Sequence, residues 1–132
     1  NLKGCSLKSV EAEAAWFDAT NLEGCDMEYF EAPQASFRGA NLKGANLDGA
    51  NLFGCNFEGA DLSGANLEGA NLQQCNLKGA NLKGANLKEA NLEGADLTDS
   101  SLEGADLRMS KMCGSRINGA NFKGAIETPA PF

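Results

Sequence analysis

A chain of 132 residues is one domain's worth at most, and 42% hydrophobic residues with nine aromatics suffice for a core, which excludes wholesale disorder. Its 18 acidic and 11 basic residues leave a net charge of −7, against a generic nucleic-acid or anionic-membrane binder, which needs a basic face. There is no histidine, the commonest general base and metal ligand, no apolar run near the ~18 residues of a membrane span, and no opening signal peptide.

Read in chain order, residues 1–125 form 25 pentads without insertion or deletion. Up to residue 39 the pattern is loose: Glu11, Trp16 and Glu31 stand where Asn or Asp is the rule, and Tyr29 and Gln34 where Gly is. Residues 9–37 also carry seven acids, with Arg38 just beyond, while elsewhere acids and bases balance at eleven each. From Ala40 to Leu97 the run small–Asn/Asp–Leu/Phe–X–X then recurs twelve times without a break. The same register continues to Ala125. Residues 126–132 break it, and the prolines there cannot donate to a further ladder.

The large residue always falls at positions 2, 7, 12 and onward: sixteen Leu, four Phe, two Met, one Ile and two Ala. A period of five suits neither ordinary element. In a straight strand, residues five apart face opposite sides. In an α-helix a five-spaced stripe drifts ~140° per step, and a Gly in most pentads costs ~1 kcal/mol each. The chain must therefore turn once per pentad to return every Leu to one interior. Gly permits that turn, and Asn or Asp tolerates irregular backbone while hydrogen-bonding locally. Coils closed by such corners stack as parallel β with ~4.8 Å between layers, which is a solenoid.

The repeated Ala-Asn-Leu-X-X unit, as in Ala40-Asn41-Leu42 and Ala95-Asp96-Leu97, resembles the pentapeptide-repeat proteins, and the resemblance covers residues 1–125. It implies an all-β, right-handed, quadrilateral parallel β-helix with four pentads per coil. The central Leu or Phe and the small residue two before it would point inward. Here that means six coils and one extra pentad over residues 1–125, roughly 30 Å of column. Residues 126–132 would be a C-terminal tail that ends the repeat.

A coil of twenty residues requires deviations to cluster at spacing twenty, and they do. Phe17, Phe37 and Phe57 would stack on one face. Ala12 and Ala32, the undersized centres, share the next face, and Val10 and Phe30 two residues before them would restore the missing volume. Cys5 and Cys25, like Cys55 and Cys75, take small inward positions twenty apart. Their side chains would lie parallel, a poor orientation for a disulfide, so buried free thiols in a reducing compartment are expected. Cys113 falls at an outward position, and without His or CxxC a zinc site is not expected.

The residue after each centre faces outward, giving four surface columns. Asp18, Arg38, Glu58 and Lys78 alternate in sign and should form a ladder of modest ion pairs. The column through Lys3 and Glu23 is mixed and receives no role. In the third, Pro33, Phe53 and Gln73 make an uncharged stretch around an outward aromatic ring. In the fourth, the carboxylates of Glu28, Asp48 and Glu68 stack at coil spacing, where they should repel. Those six residues are the candidate protein-binding site.

Nothing converges into a catalytic cleft and no phosphate loop is present, so neither enzyme activity nor a cofactor is expected. The reading is a non-catalytic scaffold or adaptor for an unidentified protein partner, in the cytoplasm, without direct nucleic-acid contact or membrane insertion. The open first coil would need a cap, from an upstream domain or from self-association. The resemblance adds three specific roles: a ubiquitin-ligase adaptor with an upstream BTB domain, a DNA mimic that binds topoisomerase, and a protein of the thylakoid lumen.

Overall fold

A computed structural model describes residues 1–127. The backbone is a right-handed, four-sided β-helix. Twenty-one parallel bridges join each residue i to i+20, from Ser6–Asp26 to Asp106–Ile126. Four pentads make one coil, and the next coil repeats it one layer along the column. The expected tail begins at Ile126, which still pairs with Asp106; its residues 128–132 lie outside the described part.

Each corner is a four-residue turn closed by a hydrogen bond from the small residue to the centre three before it, as from Ala45 N–H to Leu42 O at 3.0 Å. All 25 corner residues hold positive φ, which makes these type II turns. Glycine takes this conformation without strain, and 16 corners are Gly. The Asn or Asp before the centre ties down the second turn residue: Asn41 Oδ1 accepts from Lys43 N–H at 3.0 Å, and Asp61 Oδ1 from Ser63 N–H at 2.9 Å. Position 33 is Pro, which has no N–H to give. There Glu31 takes the Asn place and reaches along the column to accept from Asn51 Nδ2 at 3.1 Å.

The core is one continuous cluster, fully buried from Leu22 to Met112 and partly buried in the coils at either end. Each sealed Leu contributes ~1.5–3 kcal/mol. The aromatic stack forms as the spacing requires: Phe17–Phe37 centroids lie 5.0 Å apart and Phe37–Phe57 4.8 Å, with planes within 9°. Phe30 is fully buried beside Ala32 and meets Phe17 edge-on at 5.9 Å. The companion pair behaves differently. Val10 remains 39% exposed, because it belongs to the first coil and is packed from one side only.

The inward cysteines are free thiols. Cys55 Sγ donates to Ala32 O and Cys75 Sγ to Leu52 O, both at 2.9 Å, so each thiol bonds to the coil before it rather than to its cysteine neighbour. Burial pushes the Cys55 thiol up to about 12 and raises Cys75 well above its ordinary value. Cys113 is exposed, as its outward position requires.

Candidate functional site

The candidate residues occupy two adjacent faces of the column. Along one, Gln34 N–H donates to Phe53 O at 2.7 Å and Gly54 N–H to Gln73 O at 2.9 Å, which sets Pro33, Phe53 and Gln73 in successive layers. Phe53 is 37% exposed, and Pro33 and Gln73 are half-buried. On the other face Glu28, Asp48 and Glu68 are likewise one layer apart, because Tyr29 N–H donates to Asp48 O and Gly49 N–H to Glu68 O, both at 2.9 Å. The backbone N–H of each acid is held by the Asx residue two before it, at 3.1–3.2 Å.

The three carboxylates are not a bare repelling stack. Glu28 Oε1 pairs with Lys8 Nζ at 3.1 Å, and that contact raises the Lys8 ammonium above its ordinary value. Glu68 Oε2 accepts from Asn86 Nδ2 at 3.2 Å. Asp48, between them, is the member whose carboxylate has no side-chain partner among the described residues. Arg108, in the same column, turns instead to Asp106, with Nη2 to Oδ2 at 2.7 Å, and holds that carboxyl below its ordinary value.

Tyr29 stands at the corner between the two faces and was not among the candidate residues. Its ring lies over Gly49, between the positions of Asp48 and Phe53 along the chain, and is 54% exposed. Gln34 lies over Gly54 in the same way. The signal was present in the sequence: Tyr29 and Gln34 interrupt the corner glycines, and a corner residue with positive φ sends its side chain along the column. Trp16, 85% exposed on an earlier coil, is another large apolar surface residue that the pattern did not assign.

The expected charge ladder on Asp18, Arg38, Glu58 and Lys78 does not form. None of the four ion pairs among the described residues joins these positions. Asp18 Oδ1 instead accepts from the Arg38 backbone N–H at 2.9 Å and from the Ser36 hydroxyl, which holds the carboxylate against the main chain and away from the guanidinium.

Among the described residues, two of the surface concavities stand out. One, of about 730 Å³, is bordered by Gln73, Gln74, Glu93, Asp96, Cys113 and Arg116; the other, of about 490 Å³, by Glu11, Glu13, Glu31 and Pro33. Both are shallow breaks between rungs of a regular surface. Cys113 shares the first with Glu93 and Asp96, but among the described residues no hydrogen bond joins its thiol to either carboxylate, and no group of three or more Cys, Asp or Glu is placed to hold a metal ion. No helix among them is long and apolar enough to cross a membrane.

The family model for pentapeptide repeats matches the sequence in overlapping segments, residues 20–59, 34–69, 60–99 and 90–126. Comparison with curated protein sequences finds no match. Among solved structures, a pentapeptide-repeat protein from the Arabidopsis thaliana thylakoid lumen is 34% identical over 76% of this chain, with a TM-score of 0.56. The chain spans 66% of that protein's length. A pentapeptide-repeat protein of the cyanobacterium Cyanothece 51142 is 26% identical over 95% of this chain and 89% of its own, with a TM-score of 0.59.

Proposed function

The chain belongs to the pentapeptide-repeat family, and on that premise we propose that residues 1–125 act as a non-catalytic scaffold that binds another protein. The contact surface is the pair of faces carrying Pro33, Phe53 and Gln73 beside Glu28, Asp48 and Glu68. The observation that supports it most is Phe53, an outward ring 37% exposed in a column whose neighbours carry no charge. An apolar anchor next to a charged rim is the usual anatomy of a contact site. We assign the protein to the cytoplasm, with the thylakoid lumen, the compartment of the Arabidopsis neighbour, as the alternative.

Affinity capture from native extract with wild type, Phe53→Ser and the triple variant Glu28→Gln, Asp48→Gln, Glu68→Gln tests the surface. Loss of Phe53 should weaken a captured partner by ~1–3 kcal/mol. The triple variant should mainly slow association and reduce its salt dependence. Identical partner sets from all three proteins would sink the site. A DNA mimic that binds topoisomerase makes a different prediction: the intact chain inhibits supercoiling, and the acid substitutions relieve the inhibition.

A further inference from the structure

Fourteen asparagines occur in the chain, and thirteen are held alike. Each of the thirteen accepts at Oδ1 from the backbone N–H two residues on, from Asn1 with Lys3 to Asn121 with Lys123. Each is followed by Leu or Phe. For the twelve from Asn1 to Asn91, the N–H of that next residue is also engaged, donating to the following coil, as from Leu67 to Asn86 O at 2.7 Å. Such an asparagine has its side-chain oxygen fixed, its neighbouring nitrogen occupied and a bulky side chain beside that nitrogen.

Asn118 escapes all of this. It is exposed at the outward turn position, its side chain has no hydrogen bond among the described residues, and the next residue is Gly119. The Gly119 N–H has no acceptor among the described residues either. With no β-carbon, glycine leaves its amide nitrogen open to close approach. The turn around them is closed by Ala120 N–H to Ile117 O at 3.0 Å and tied to the coil below by Asp99 N–H to Asn118 O at 2.9 Å, whereas an interior turn is bonded to coils on both sides. Opening of such a turn lies at the low end of local unfolding free energies.

We propose that Asn118 is a self-modification site, at which the Gly119 amide nitrogen attacks the Asn118 side-chain carbonyl and converts the residue to aspartate and isoaspartate. The bond formed is Gly119 N to Asn118 Cγ; the nitrogen gives its proton to solvent base. The bond from Cγ to Nδ2 breaks, and Nδ2 leaves as ammonia, giving a five-membered succinimide. Solvent water then opens the ring at one of its two carbonyl carbons. Attack at Cγ gives aspartate; attack at the main-chain carbonyl gives isoaspartate, with the backbone routed through the former side chain. The sum is asparagine plus water to acid plus ammonia, with no oxidant or reductant, and the chain gains one negative charge. That charge appears next to Gly119, over which the Asp99 carboxylate already lies.

The test is incubation of the folded full chain at mildly alkaline pH, followed by tryptic digestion and fragmentation mass spectrometry of peptide 117–123. A gain of one mass unit at Asn118 is expected, at least about tenfold above any other asparagine. It should be split between two isomers, one of which accepts a labelled methyl group from an isoaspartyl carboxyl methyltransferase. Asn118→Gln, checked for an unchanged circular dichroism spectrum, should lose both signals. An unchanged Asn118 after incubation, or an equal gain at Asn121 or at core asparagines such as Asn66, overturns the proposal.

Discussion

The ring of Tyr29 rests on Gly49, one coil along the column: a β-carbon on Gly49 would stand 2.6 Å from Tyr29 Cε1. The corner tyrosine therefore depends on the corner glycine above it, both for that glycine's φ of +66° and for its missing side chain. Gly59 has nearly the same φ, +67°, and nothing within 4 Å of its would-be β-carbon. Gly59→Ala should cost ~1 kcal/mol, the left-handed strain less the gain from a stiffer unfolded chain. Gly49→Ala should cost more, because the ring must also move, and in a Tyr29→Ala background the two costs should converge. Denaturant midpoints of wild type, the three single variants and the two double variants decide it; equal costs in the wild-type background would remove the coupling.

Leu67→Ala, deep in the regular run, should destabilise the column by ~2–5 kcal/mol through the void it leaves. Phe30→Ala should cost at least as much, since Phe30 is fully buried and fills the space beside Ala32. Val10→Ala, at a side chain already 39% exposed, should cost far less. The same denaturant titration would expose a misplaced register if Phe30→Ala behaved like Val10→Ala.

The buried thiols make the fold sensitive to alkali. Burial raises the Cys55 pKa to about 12, so native Cys55 holds its proton while an unfolded chain releases one near 8.5. The unfolded state then binds fewer protons, and stability falls as pH rises through this window. The loss should approach ~1.4 kcal/mol per pH unit for this thiol between about 9 and 12, and be absent below the unfolded pKa. Unfolding midpoints against pH should fall less steeply for Cys55→Ala than for wild type; parallel curves would show that the thiol does not control the alkaline limb.

Thiol labelling without reductant should modify Cys113 first, because it is exposed and the others lie within the column. After unfolding all five should react. A Cys5–Cys25 or Cys55–Cys75 bridge found by mass spectrometry would contradict both the free thiols and the reducing compartment proposed from them.

The period of five required one turn per pentad, the family resemblance implied four pentads per coil, and the spacing of twenty among Phe17, Phe37 and Phe57 agreed with it. They could not fix what each surface side chain does at its address. Asp18 and Arg38 stand in adjacent layers as the spacing says, yet the carboxylate takes the Arg38 backbone N–H and not the guanidinium. Glu28 was expected to repel Asp48 and is instead paired with Lys8. Column position follows from the pattern; rotamer follows from the local competition among backbone donors, lysines and solvent. Tyr29 was harder to assign for a related reason: its positive φ sends the side chain along the axis over Gly49, the next member of its own corner column, where it borders both outward faces.

Because every rung joins i to i+20, the four faces are a matter of arithmetic, and whole pentads can be removed without offending the core. Deleting residues 66–70 would leave each Leu pointing inward but turn everything after the cut by one quarter about the axis. Gln73 would then stand above Asp48 and Lys78 above Phe53. The stability of such a variant should stay near that of a column one pentad shorter, while a partner reading the faces in register should lose its hold. In this architecture a five-residue deletion is a rotation: it reshuffles the exterior as thoroughly as many point substitutions, while every buried position keeps its kind of neighbour.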